Sequence, residues 1–371
     1  MKVLALSVSA GTGHFKAAKA IKNYFEKNYT DVEMEIIDTL RYINPVINKI
    51  VVGSYLQSIK ITPKIYEKLY EHADKDDTIS SFSEMANHLL SIKIKSLVED
   101  INPDVILCTH PFPLEMISIL KRKGKISIPA IGILTDYAVH SFWFYDYIDA
   151  YIIPNEDFID EAAEKGADIN SLYPLGIPVE SQFLMPVEKA AIKNQLGLYE
   201  GKPTILLMGG SLGIGNIKKI YEALSLSDLD IQLIVCTGRN HRLKEKIEEI
   251  YEKAQKKSLI LSYTENMNAI MSVSDILITK PGGLTIAEAL VKGLPIIINS
   301  PIPGHEEKNA NYLLNCGIAA TFKKSSDAVN VVRQLIKNTS RLEQMKSIAL
   351  EKSKPNSTKD ICRLIIEQSK K

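Results

Sequence analysis

Lys280-Pro281-Gly282-Gly283-Leu284-Thr285-Ile286-Ala287-Glu288-Ala289-Leu290 follows the apolar run Ile276-Leu277-Ile278 and reads as a strand end, a glycine turn and a helix start. Two adjacent glycines let backbone N–H groups come close to a bound anion, and the helix behind them adds the positive end of its dipole. That suits a phosphate. Glu288 lies one helical turn after Thr285, so both side chains share a face, and a carboxylate there can accept both hydroxyls of a ribose. A tight strand-to-helix connection with glycines for packing alone fits the same letters, because short glycine motifs recur by chance. The surrounding segments have to decide.

Working outward, apolar runs alternate with helical patterns: Thr204-Ile205-Leu206-Leu207-Met208, Ile231-Gln232-Leu233-Ile234-Val235-Cys236, Leu259-Ile260-Leu261 and Pro295-Ile296-Ile297-Ile298. The first leads into Gly209-Gly210-Ser211-Leu212-Gly213-Ile214-Gly215-Asn216, a glycine-rich turn able to wrap a diphosphate with backbone donors. After the second comes Thr237-Gly238-Arg239-Asn240, whose arginine can support the same negative charge. After the last comes Pro303-Gly304-His305-Glu306-Glu307-Lys308-Asn309-Ala310, a polar helix entry suited to sugar hydroxyls. Residues 174–186 carry the proline and glycine of an interdomain connection.

The N-terminal half repeats the scheme. Val3-Leu4-Ala5-Leu6-Ser7-Val8 is a strand ended by Ser9-Ala10-Gly11-Thr12-Gly13-His14, and Ala17, Ala18, Ile21 and Phe25 then mark a helix. The turn has neither the G-x-G-x-x-G spacing nor a G-K-S/T. His14 stands at its mouth, beyond the carboxyl end of a strand, where open α/β sheets bind ligands. A histidine there can take a proton near neutral pH, although a capping or packing imidazole fits as well. Val105-Ile106-Leu107-Cys108-Thr109 leads into His110-Pro111, and Ala130-Ile131-Gly132-Ile133-Leu134 into Thr135-Asp136, His140 and Trp143. In a parallel sheet these polar ends share one rim with His14. The expected class is therefore α/β: two Rossmann-like domains with parallel sheets facing across a cleft.

Bulk properties agree with an ordinary two-domain protein of 371 residues. A formal net charge of +1 argues against a general nucleic-acid binder. Cys108, Cys236, Cys316 and Cys362 form no C-x-x-C pair and read as reduced thiols. No apolar run approaches the ~18 residues of a membrane span and no signal peptide precedes the first strand, so a cytoplasmic location is expected. Residues 41–70 set Arg41, Lys49, Lys60, Lys64 and Lys68 against Glu67 among many aliphatic and aromatic residues. That mixture suits an anionic lipid surface, and equally a helical excursion packed on its own domain. Asp74-Lys75-Asp76-Asp77 and Asp228-Leu229-Asp230 contain D-x-D, but neither follows a strand as a metal site at a diphosphate would require, and they read as solvated turns.

Taken together, Ser9 to His14, His110-Pro111, the Thr135-Asp136…His140…Trp143 block, Gly209-Gly210-Ser211, Lys280 to Thr285 with Glu288, and Pro303-Gly304-His305-Glu306-Glu307…Asn309 resemble the monogalactosyldiacylglycerol synthase and processive diacylglycerol glucosyltransferase family. The C-terminal half is also similar to MurG-type glycosyltransferases. The resemblance implies a GT-B fold with an acceptor and membrane-docking domain over 1–178, a UDP-sugar-binding domain over 179–354, and a last helix within 355–371 crossing back to the first domain. It implies an inverting transfer of a hexose, glucose or galactose, from a UDP-sugar to diacylglycerol, with no cofactor and no metal, by an enzyme peripheral on the inner face of the cell membrane.

By the same resemblance His14 matches the catalytic base, with Asp136 orienting it or the acceptor. Gly210, Ser211, Gly282, Gly283 and Thr285 match the diphosphate cradle and Glu288 the ribose carboxylate, and Gly13 and Arg239 are expected on the donor side beside them, Arg239 as a supporting cation. Met267 lies where backbone groups meet uracil, His305 and Glu306 match donor-sugar positions, and His110, His140 and Trp143 fall on the acceptor side. Two other enzyme classes fit the fold: a UDP-N-acetylglucosamine 2-epimerase, and MurG-like transfer of N-acetylglucosamine to a polyprenyl-linked acceptor. A silent nucleotide-sugar sensor would leave His14 and the rim residues superfluous.

Overall fold

The structure, a computed structural model, describes residues 1–9, 12–44, 90–254 and 256–370. The chain divides into two compact units, Met1–Ser181 with Pro303–His305 and Lys354–Lys371, and Gln182–Ile302 with Glu306–Ser353. Most of the basic, apolar 41–70 tract and the first D-x-D run lie outside the described residues.

In the first unit β1 (Lys2–Ser7), β2 (Glu33–Asp38), β3 (Val105–Cys108), β4 (Ala130–Ile133), β5 (Ala150–Ile152) and β6 (Leu172–Tyr173) form one sheet in the order β2-β1-β3-β4-β5-β6. Every pairing is parallel. Helices on both faces of such a sheet exclude water from its middle strands, and β3, β4 and β5 are buried throughout. Packing is close enough at β4 that a Cβ on Gly132 would lie 2.9 Å from Leu114 and Tyr151 side-chain atoms. The helix Gly13–Asn28 joins β1 to β2 and buries Ala17, Ala18, Ile21 and Phe25. Against it lies the last helix, Ser357–Gln368, whose Ile361, Leu364 and Ile365 complete the core of this unit. Thr358 Oγ1 donates to the Val179 carbonyl at 2.7 Å and pins the start of that helix.

The second unit repeats the plan with β7 (Thr204–Met208), β8 (Gln232–Cys236), β9 (Ser258–Leu261), β10 (Ile276–Thr279), β11 (Ile296–Ile298) and β12 (Ala319–Thr321), ordered β12-β11-β10-β7-β8-β9. All pairs are again parallel. The core gathers Ile205, Leu207, Tyr221, Leu233, Val235, Ile276 and Ile278 with Val332 and Leu335.

Each sheet reverses its strand order once, between β1 and β3 in the first unit and between β7 and β10 in the second. At such a switch point the following loops diverge to opposite faces and leave a crevice at the carboxyl ends of the strands. Asp228 and Asp230 stand elsewhere and are engaged by cations: Arg333 grips Asp228 with bonds of 3.0 and 2.6 Å, and Lys202 pairs with Asp230 at 2.6 Å. All four cysteines are free thiols, and Cys108, Cys236 and Cys362 are buried.

Candidate active site

The first crevice is built by the loops after β1, β3 and β4. His14, second residue of its helix, turns its ring toward the β3 and β4 ends, with Nδ1 2.7 Å from Thr135 Oγ1. Its ring meets that of His110 edge-on, with centroids 4.8 Å apart. Burial pushes the His14 pKa below its ordinary value, outweighing the Asp136 carboxylate and a hydrogen bond with the Thr109 backbone, which favour the protonated form. His305, from the short stretch grouped with this unit, opposes protonation more weakly. The result is an imidazole neutral at pH 7, with a carboxylate near enough to stabilise the cation once a proton arrives. Those are the requirements of a general base.

His110 and His140 also stand on the rim of the first unit, and their Nδ1 atoms are occupied. Each stands at the N-terminal cap of a helical segment, the helix Pro111–Arg122 and the turn Ser141–Trp143, and accepts the backbone N–H of the residue two places on, Phe112 and Phe142, at 3.1 Å. Each is therefore fixed with its proton on Nε2. Burial, and then His14, holds the His110 pKa well below the usual value. His140 and Trp143 are buried in this unit, whereas Phe15 and Phe142, beside His14 and His140 in sequence, are exposed.

The second crevice lies between the loops after β7 and β10. Gly210, at φ +66°, is the second residue of the first of them, and a Cβ there would lie 3.1 Å from Lys280 Cε. The loop locks against the Thr237–Arg239 turn: Arg239 N–H donates to the Ser211 carbonyl at 2.9 Å. A Cβ on Gly238 would lie 2.6 Å from the Gly210 and Ser211 carbonyl oxygens. The exposed Arg239 guanidinium stands 5.3 Å from the Tyr263 ring centroid, a stacking distance that holds it at the rim. Gly282 caps the helix Gly283–Val291 without a side-chain bond, which leaves the helix positive end for an anion. Thr285 is half-buried and Glu288 buried on this helix, and Met267 opens the helix Met267–Ser272.

Glu306, read from sequence as a sugar contact, is buried with both carboxylate oxygens engaged. Lys280 donates to Oε1 and the Ile302 N–H donates to Oε2, the latter at 2.9 Å. Asn309 Nδ2 ties the same helix, His305–Asn315, to the Pro281 carbonyl at 2.9 Å. Lys280 and Thr135 had no assigned part from sequence, although each lies just past a strand and within two residues of one that did, Gly282 and Asp136.

Two sheets with these switch points define a class. MurG from Acinetobacter baumannii superposes with a TM-score of 0.63 at 16% identity over 99% of both chains. The UDP-GlcNAc 2-epimerase of Neisseria meningitidis, bound to UDP-GlcNAc, gives 0.60 at 16% identity over 99% of this chain and 100% of that one. The fold is GT-B.

Sequence carries the assignment further. A sequence model described as monogalactosyldiacylglycerol (MGDG) synthase matches residues 14–179, and one for the glycosyltransferase family 28 C-terminal domain matches residues 204–365. The processive diacylglycerol beta-glucosyltransferase of Bacillus pumilus (strain SAFR-032) is 30% identical over 99% of this chain and 95% of its own length. The chain belongs to the monogalactosyldiacylglycerol synthase and processive diacylglycerol glucosyltransferase family.

Proposed function

We propose that this protein transfers glucose from UDP-glucose to diacylglycerol with inversion at the anomeric carbon. The observation that carries the chemistry is the His14 imidazole, neutral, tied to Thr135 and backed by Asp136. His14 takes the proton of the lipid hydroxyl as that oxygen bonds to the anomeric carbon. The bond from that carbon to the diphosphate oxygen breaks on the opposite face, and its electrons leave with UDP. Asp136 stabilises the imidazolium, while Gly210, Ser211, Gly283 and the open helix end carry the charge on the departing diphosphate; the Gly282 N–H is given to the Lys280 carbonyl at 3.0 Å, and this glycine serves by leaving the approach clear of a Cβ. Glu288 holds the ribose, Met267 the uracil, and His305 the sugar. Glucose is preferred to galactose because the curated relative named above is a glucosyltransferase.

A diacylglycerol acceptor lies in a bilayer, and the enzyme works peripherally on the inner face of the membrane. Supporting this are the cation-rich, apolar 41–70 segment and the exposed Phe15, Tyr42 and Phe142 of the first unit. Among the described residues no helix is long and apolar enough to cross a membrane. Backbone donors and fixed cations at the diphosphate make a divalent metal redundant, so turnover persists in excess EDTA.

The test is incubation with labelled UDP-glucose, UDP-galactose and UDP-N-acetylglucosamine in diacylglycerol liposomes, with EDTA present, followed by lipid extraction. Label from UDP-glucose in the lipid fraction is expected. Epimerised UDP-sugar with unlabelled lipid would overturn the reading.

A further inference from the structure

The Lys280–Glu306 ion pair sits inside the second crevice. Its carboxylate side chain is only 3% exposed, its ammonium side chain 19%. Four separate pieces of chain converge on it. Lys280 directly follows β10, and Gly210 in the loop after β7 has no Cβ where Lys280 Cε passes. Ile302, beyond β11, donates its N–H to Glu306, and Glu306 is the second residue of the helix His305–Asn315. Glu306 Oε1 also lies 3.9 Å from where a Cβ on Gly282 would be, next to the uncapped start of the following helix.

A strut would not need this placement. Burying a charge pair costs about as much desolvation energy as its attraction returns, so an ion pair set between two glycine turns and a free helix end is poorly explained by stability. It is well explained as a cation kept in store. The ammonium stands beside both glycine turns, where a diphosphate would meet it, and the Glu306 carboxylate supplies its counter-charge.

We infer that Lys280 is the cation that binds the donor diphosphate, and that Glu306 holds it in place and is released to the sugar hydroxyls only when the diphosphate takes the ammonium over. This rests on the glycosyltransferase reading above and adds a residue and an order of events to it. Recognition of the sugar becomes conditional on the phosphates. On bond cleavage the same ammonium faces the growing charge of the leaving group, the position a divalent metal would otherwise fill.

The test is calorimetry of uridine, UDP and UDP-glucose with the wild-type chain and with Lys280→Met, Lys280→Arg and Glu306→Gln. Lys280→Met should weaken UDP by about tenfold or more and leave uridine unchanged, while Lys280→Arg stays within about threefold of wild type. Glu306→Gln should tighten UDP, since the ammonium no longer has a competing anion, and should abolish any preference for UDP-glucose over UDP.

Equal UDP affinity in Lys280→Met and wild type would overturn the inference alone. So would a loss of UDP affinity in Glu306→Gln matching that of Lys280→Met, since the pair would then be a strut. Unchanged uridine binding in each variant shows that the second unit is folded. A wild-type chain that binds no UDP would remove the glycosyltransferase reading and this inference together.

Discussion

His14 performs no task that a helix-capping histidine performs, and its surroundings separate the two. The rings of His110 and His140 each accept a backbone N–H through Nδ1, which ends a strand-to-helix turn. His14 instead bonds a threonine hydroxyl on a neighbouring loop and feels the next residue's carboxylate. Because burial lowers its pKa, the neutral form persists as pH falls and is lost only below about 6.5, the usual histidine value. Activity should therefore show its acid limb under that pH. Asp136 raises the His14 pKa, so Asp136→Asn should move the limb to lower pH and reduce kcat, because the imidazolium loses its counter-charge. A pH–rate profile reads both effects, and a limb displaced upward would exclude Asp136 as the partner. The sequence placed these side chains at strand ends but could not show which Nδ1 atoms were already taken. Nor could it show that Glu306 spends both oxygens on Lys280 and Ile302.

Glycine turns do different work at different positions along the elements. Gly213, at φ +58°, packs so that a Cβ would lie 2.4 Å from the Thr237 carbonyl oxygen. Gly13 begins its helix with nothing within 4 Å of the corresponding point. Gly213→Ala should lower the thermal midpoint and weaken UDP together, because the two interlocked turns must part. Gly13→Ala should leave the midpoint unchanged or slightly raised, so that any loss of turnover reports a ligand brought close to that backbone. A large fall in stability for Gly13→Ala would contradict this.

The closing helix has a structural task instead. Ile361 is fully buried in the core of the first unit, and Ile361→Ala should cost about 2–5 kcal/mol in denaturant unfolding. A change within error would mean that the helix is not docked as described. Central strands such as β1, β3, β7 and β10 were legible because strands covered on both faces read as unbroken apolar runs. The strands that escaped are edges of their sheets: β2 opens with the charged alternation Glu33-Met34-Glu35, β6 is Leu172-Tyr173 alone, and β12 is Ala319-Ala320-Thr321. A short or half-polar edge leaves little periodicity to detect.

At the scale of the molecule, each unit presents one crevice at the single point where its sheet reverses order. One crevice carries the imidazole proposed as the base, and the other the glycine turns proposed as the anion cradle. That division of labour is legible from residue order alone, because the histidine and aspartate motifs fall in the first half of the chain and the double-glycine motifs in the second. The part played by the 41–70 tract is not legible in the same way, since basic and apolar residues at helical spacing serve a bilayer or a protein core equally.

The most direct test of the whole account pairs UDP calorimetry with turnover of UDP-glucose in diacylglycerol vesicles, for the wild-type chain and His14→Ala. The account predicts that UDP affinity is retained while turnover falls by about a hundredfold or more. Turnover left at the wild-type rate would contradict it.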